Sequence, residues 1–147
     1  MTATFTDYVA QKDAQNLIQL NITKYCFMLC DALLKNYIDY AIKSHKTAIM
    51  KFKDSDEYHL ACIEDLKAGN CGYEFTLESG RKYHKIMMNA NGSRSVHAFI
   101  DKKTGSVYKA ASIKAPAKGE RYNLLLIKDR EWLFENADFC GSYLYVR

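Results

Sequence analysis

The sequence predicts an α+β fold in which N-terminal helices pack on a C-terminal antiparallel meander sheet of about five strands. Three observations predict it. Apolar residues recur every three or four positions up to about residue 70, alternate with polar ones from Tyr73 onward, and turn-forming residues separate the alternating runs. No internal repeat or linker interrupts the chain, so residues 1–147 are expected to form a single domain, with about 1–70 helical and about 73–147 mainly strands. Five short strands would also allow the sheet to curl into a small open barrel.

The helical half divides into three expected elements. The first opens near Thr6-Asp7 and carries Val9, Leu17, Ile18 and Leu20. The second runs from Thr23, as N-cap, to about Lys43. In it Tyr25, Leu29, Leu33, Tyr37 and Tyr40 form a stripe widened by Cys26 and Cys30, and a basic end at Lys43 and Lys46 suits the helix dipole. The third begins at Ser55, places Asp56 and Glu57 in its first turn, and stops at Gly69-Asn70.

The strands follow from turn chemistry. Ser79-Gly80 separates the first two strands, Asn91-Gly92 marks a tight hairpin between the second and third, and Asp101 with Gly105 brackets the next turn. Ala115 precedes Pro116 and is pushed toward extended geometry, so the fourth strand should end near Ser112. The stretch from Asn123 to Asp138 reads as buried irregular or short helical structure, and "SYLYVR" as the last strand. If Asn91-Gly92 centres its hairpin and Asp101 faces Ser106, two sheet faces result. One holds Tyr83, Met87, Val96, Ala98, Ile100 and Val107, flanked by Lys85 and Lys109, and makes the better core. The other holds His84, Ile86, His97, Phe99 and Tyr108.

Composition narrows the function classes. Hydrophobic residues at 48% and charged residues at 26% are ordinary globular values. Five cysteines without a CxxC pair argue for free thiols in a reducing compartment rather than a disulfide framework. The N-terminus lacks the pattern of a secretory signal and no run of 18 or more apolar residues occurs, so a cytoplasmic protein with no membrane partner is expected. Neither a phosphate-binding glycine loop nor a GxSxG or HExxH motif is present. His84 and His97 would be diagonal neighbours on one face, yet the sequence names no third ligand, and neither a metal nor a cofactor is expected.

Charge is the informative property. Between Arg81 and Gly119 nine basic residues stand against Asp101 alone, a net +8, which leaves −4 for the rest of a chain whose total is +4. Such asymmetry suggests an anionic partner, although lysines also protect strand edges. Tyr108 with Lys109, Lys114, Lys118 and Arg121 combines a π-face with cations, the parts of a single-strand binder.

At "VHAFIDKKTGSVYKAASIKAPAKGERYNL" and "ENADFCGSYLYVR" the chain resembles small uncharacterised proteins of tailed bacteriophages and marine viral metagenomes. That resemblance implies synthesis in a bacterial host and carries no biochemical activity with it. The expected role is a non-enzymatic binding module whose basic C-terminal half contacts nucleic acid or another anion. The alternative is a structural or host-interaction protein that self-associates through the Thr23 to Lys43 helix. A small enzyme with a site assembled only in space is the third reading.

Overall fold

Helix α1 organises the molecule. In the computed structural model, which describes residues 4–52, 54 and 56–145, it runs unbroken over Phe5–Lys51. Thr4 caps it: its Oγ1 accepts from Asp7 N while the Asp7 carboxylate accepts from Thr4 N, a reciprocal capping box. The two helices expected over this stretch are therefore one. Thr23 is not an N-cap but an interior residue whose hydroxyl donates back to Gln19 O at 3.0 Å. That bond satisfies the side chain inside the helix, so a polar pair that reads as a break is carried through. Lys43 and Lys46 likewise lie within the helix rather than at its end.

Helix α2 covers Asp56–Lys67 and packs back along the C-terminal part of α1, burying Ile63 and Leu66. The expected start at Ser55 lies outside the described residues. The strands β1 (Tyr73–Ser79), β2 (Tyr83–Ala90), β3 (Ser93–Asp101), β4 (Ser106–Lys109) and β5 (Tyr122–Asn123) form one antiparallel meander in the order β1-β2-β3-β4-β5. The sheet stays open and does not close into a barrel. Asn91 and Gly92 both adopt positive φ, 52° and 91°, as the predicted two-residue hairpin requires. Gly105 takes φ 76° and its carbonyl accepts from Leu124 N; a Cβ there would lie 3.1 Å from Leu125 Cγ.

The C-terminal elements differ from expectation. Strand β4 ends at Lys109, after which Ala110 makes one bridge to Pro116. The fifth strand is Tyr122–Asn123, not "SYLYVR", where Gly141 in the left-handed region leads into a 3-10 turn over Ser142–Leu144. The Asp138 carboxylate, accepting from both Ser142 N and Ser142 Oγ, ties that turn down. Val146 and Arg147 of the expected strand lie outside the described residues. Between β5 and this turn sits α3 (Ile127–Asn136), which buries Leu133 and leaves Trp132 and Ile127 exposed.

The main core lies on one side of the sheet. Ile22, Cys26, Leu29 and Leu33 of α1 are fully buried against Ile86, Ala98, Ile100 and Val107, with Leu124, Leu133 and Leu144 closing the edge. Each of the Ile, Leu and Val side chains among them contributes about 1.5 to 3 kcal/mol from burial. Removing the side chain of Leu29 should lower stability by about 2 to 5 kcal/mol, through lost transfer energy and the cavity left behind. Urea unfolding of Leu29→Ala measures this, and a loss below 1 kcal/mol would contradict the core placed here.

Candidate nucleic-acid interface

A β-bulge decides which residues reach the free face of the sheet. From the hairpin, Met88 pairs with Ser95 and Met87 with Val96, as the sequence predicts, but Ile86 then pairs with Ala98 and His84 with Ile100. His97 is the extra residue. Beyond it β2 is shifted by one relative to β3, and a one-residue slip exchanges faces. His84 and Ile86 thus join Ala98, Ile100 and Val107 beneath the helices. Tyr83 and Lys85 join Phe99 and Tyr108 on the outer face, opposite the one on which the described helices pack. This corrects the predicted face assignment on the far half of β2.

The outer face is an aromatic patch with a cationic border. Phe99 is fully buried beneath its neighbours, whereas Tyr83 and Tyr108 are half-buried. The Tyr83 ring meets Phe99 edge-on at 5.7 Å and Tyr108 edge-on at 6.1 Å between centroids. Lys82 Nζ stands 5.3 Å from the Tyr83 centroid, and Lys85 Nζ stands 5.6 Å from that of Phe99 while donating to Ile113 O at 2.8 Å. Arg81, Lys82, Lys102 and Lys103 gather where the β1–β2 and β3–β4 turns approach Gln19 of α1, around a cavity of about 320 Å³. Asp101 shares that cavity, but its Oδ1 accepts from Lys103 N and Thr104 N and so closes the turn. Among the described residues the ion pairs are Lys35 with Asp39 and Arg94 with Glu78, so none of these four cations is neutralised within salt-bridge distance. Glu74 and Glu78 on β1, and Glu120 beside Ser106, confine the basic strip to the middle of the sheet and its turns.

The residues singled out in the sequence do not form one group. Tyr108 lies on the outer face. Lys109 points to the helical side, its Nζ 4.8 Å from the Tyr145 centroid, beside a separate cavity of about 220 Å³ that it lines with His97 and Cys140. Lys114 is exposed in the loop after β4, where Ser112 Oγ accepts from its backbone N–H. Lys118 is exposed too, and its carbonyl accepts from Arg121. Arg121 is a structural clamp: Nε donates to Leu144 O at 2.7 Å and Nη1 to the carbonyls of Lys118 and Gly119. Arg81, Lys82, Tyr83 and Lys85 were missed as a group with Tyr108, because only the bulge brings the last three onto one face.

His84, His97, Cys26 and Cys30 serve the fold. His84 accepts from Ser79 Oγ at Nδ1 (2.7 Å) and donates from Nε2 to Thr23 Oγ1 (3.3 Å), whose own proton goes to Gln19. Burial, then the Lys102 charge, push its pKa down. His97 Nε2 lies 2.8 Å from Tyr143 Oη, and burial pushes its pKa down to about 4. Among the described residues no three His, Cys, Asp or Glu side chains converge to hold a metal ion. Cys26 and Cys30 are core residues, with thiols pushed up to about 12 chiefly by burial. The tyrosine stripe expected to mediate self-association is turned inward over most of its length: Leu29 and Leu33 are buried, Tyr37 stacks on Tyr73 at 3.7 Å, and Tyr25 lies under Arg130.

The profile of the Family of unknown function (DUF7717) matches residues 5–146, from the first turn of α1 to one residue past the described chain. The chain belongs to that family. The matched span takes in every element described above, so the DUF7717 unit comprises the long helix, the open sheet and the C-terminal turn together. No curated protein and no solved structure matches.

A neutral His97 makes stability depend on pH. Its folded pKa, about 4, lies below the ordinary value of 6.5, so the unfolded chain binds the proton more tightly. The stabilisation is fully present above 6.5 and is lost as pH falls toward 4, on the order of 3 kcal/mol in all. His84 acts in the same direction. Urea unfolding at neutral pH and near pH 4 should show the loss, and His97→Gln should flatten it; an equal pH dependence in the variant would refute the assignment.

Proposed function

We propose that this protein binds single-stranded nucleic acid on the outer face of its sheet. The observation that supports this best is the half-buried Tyr83 and Tyr108 pair on the outer face, with Lys82 and Lys85 over its rings and Arg81, Lys102 and Lys103 gathered at the adjoining turns. Bases stack on the tyrosine rings, and the lysines together with Arg81 and Lys114 track the phosphates. Sequence preference is low, because the patch offers π-faces and charge but no fixed set of donors and acceptors for base edges. Lys118 extends the strip along the loop after β4, Lys109 lies on the helical side, and Arg121 holds the loop in place rather than contacting the ligand. The resemblance to phage proteins supports a setting in the cytoplasm of a bacterial host.

Fluorescence anisotropy with a labelled single-stranded oligonucleotide tests the proposal. Affinity should fall with rising salt, and replacing Lys82, Lys103 and Lys114 together by Ala should reduce the log–log salt slope by about 2. Tyr108→Ala should cost about 1 to 3 kcal/mol, most of it recovered by Tyr108→Phe, since stacking needs the ring and not the hydroxyl. No binding at low salt, or unchanged binding by the triple variant, would overturn it.

A further inference from the structure

The side of α1 that faces away from the sheet carries a second pattern. At 100° per residue, Ile22, Cys26, Leu29 and Leu33 point at the strands, and the opposite side presents Ala10, Asp13, Leu17, Leu20, Lys24 and Phe27. Their spacing alternates three and four, the repeat of a coiled-coil seam. All six are exposed, with Leu17, Leu20 and Phe27 at 59%, 65% and 55%. A soluble helix does not ordinarily leave aligned Leu, Leu and Phe side chains in water along its outer side.

We propose that this side of α1 is a homodimer seam, closed by the same helix of a second copy running antiparallel. The pattern is self-complementary about a two-fold axis between residues 18 and 19. In that register Leu17 meets the partner's Leu20 at the axis, Asp13 meets the partner's Lys24 next to it, and Ala10 meets the partner's Phe27 outermost, small against large. The two-fold generates each pairing twice, as an isologous interface requires. The seam extends over about 20 residues, roughly 30 Å of helix, and buries on the order of 1,000 Å² in total, the lower bound of specific interfaces.

Charge favours a second copy over a lipid or nucleic-acid surface. From Phe5 to Asp31 the helix holds Lys12 and Lys24 against Asp7, Asp13 and Asp31, a net −1, whereas helices that lie on anionic membranes carry an excess of Lys and Arg. By length and composition α1 passes the test for a membrane-spanning helix, with a mean hydropathy of 1.3 over its most apolar 18 residues. The apolar side of its middle section, however, is already taken up by the sheet. The seam lies on the opposite side of α1 from the sheet, so it is independent of the aromatic patch on the outer face.

Light scattering and sedimentation equilibrium on the full chain test this. The mass should rise from 16.9 kDa toward twice that value with concentration. Asp13→Lys or Lys24→Asp alone places like charges together in both symmetric pairs and should weaken the dimer by about tenfold or more; the double variant D13K/K24D should recover most of that loss. Recovery separates a seam contact from damage to folding. A mass of 16.9 kDa at every concentration, a dimer indifferent to either reversal, or a double variant no tighter than the singles would overturn the proposal. Monomeric protein that floats with phosphatidylserine vesicles would also overturn it, and assign this side of α1 to a membrane.

Discussion

The structure depends on one helix having only one side to bury. Ile22, Cys26, Leu29 and Leu33 of α1 lose all contact with water against the sheet, and α3 joins them there. No second helical layer remains for the other face, which must then protect its own apolar residues. It does so with amphipathic side chains: Phe99 meets the ring of Tyr83 edge-on and lies beneath Lys85, whose Nζ donates to Ile113 O. An exposed aromatic and cationic face is thus partly a solution to a packing problem. The same one-sidedness leaves α1 with another side for α2 to pack against, and residues such as Leu17, Leu20 and Phe27 nearer its beginning stay exposed among the described residues.

Electrostatics gives the free face its character. Arg81, Lys82, Lys102 and Lys103 would spread apart in a flexible loop, but here the backbone brings them together. Lys102 Nζ donates to Gly80 O across the two turns, and the one nearby carboxylate is occupied by backbone N–H groups. Unpaired cations near the surface repel one another weakly in water, and an arriving anion relieves that repulsion while releasing counterions. The clamp at Arg121 makes the complementary point. A guanidinium that donates to three carbonyls is structural, and replacing it would disturb the loop that displays Lys114 and Lys118 whether or not nucleic acid is bound.

Much of this was legible in the sequence where the determinants are local. Asn91-Gly92 and Asp101 with Gly105 produced the turns expected of them because positive φ and an Asx-type bond are properties of a few adjacent residues. The change of period near residue 73 separated helix from sheet. Long-range determinants were silent. Thr23 reads as a cap until its hydroxyl is seen bonded to Gln19 and paired with His84, 61 residues away. "SYLYVR" alternates like a strand, yet Gly141 and Asp138 wind Ser142–Leu144 into a turn that buries Tyr143 against His97. The candidate site is half visible in the sequence: Tyr108 and the lysines of the segment stand out by composition, while Tyr83 reads as core and Lys85 as its flank because no glycine or proline announces the bulge at His97.

That bulge makes strand length, rather than residue identity, the carrier of information. The count of residues between the Asn91-Gly92 hairpin and Ala98 acts as a parity setting: with His97 present, His84 and Ile86 turn inward and Tyr83 and Lys85 outward. Many substitutions along β3 would preserve the parity. Loss of a single residue there would invert it, exchanging buried and displayed side chains on one half of a hairpin without altering any of them.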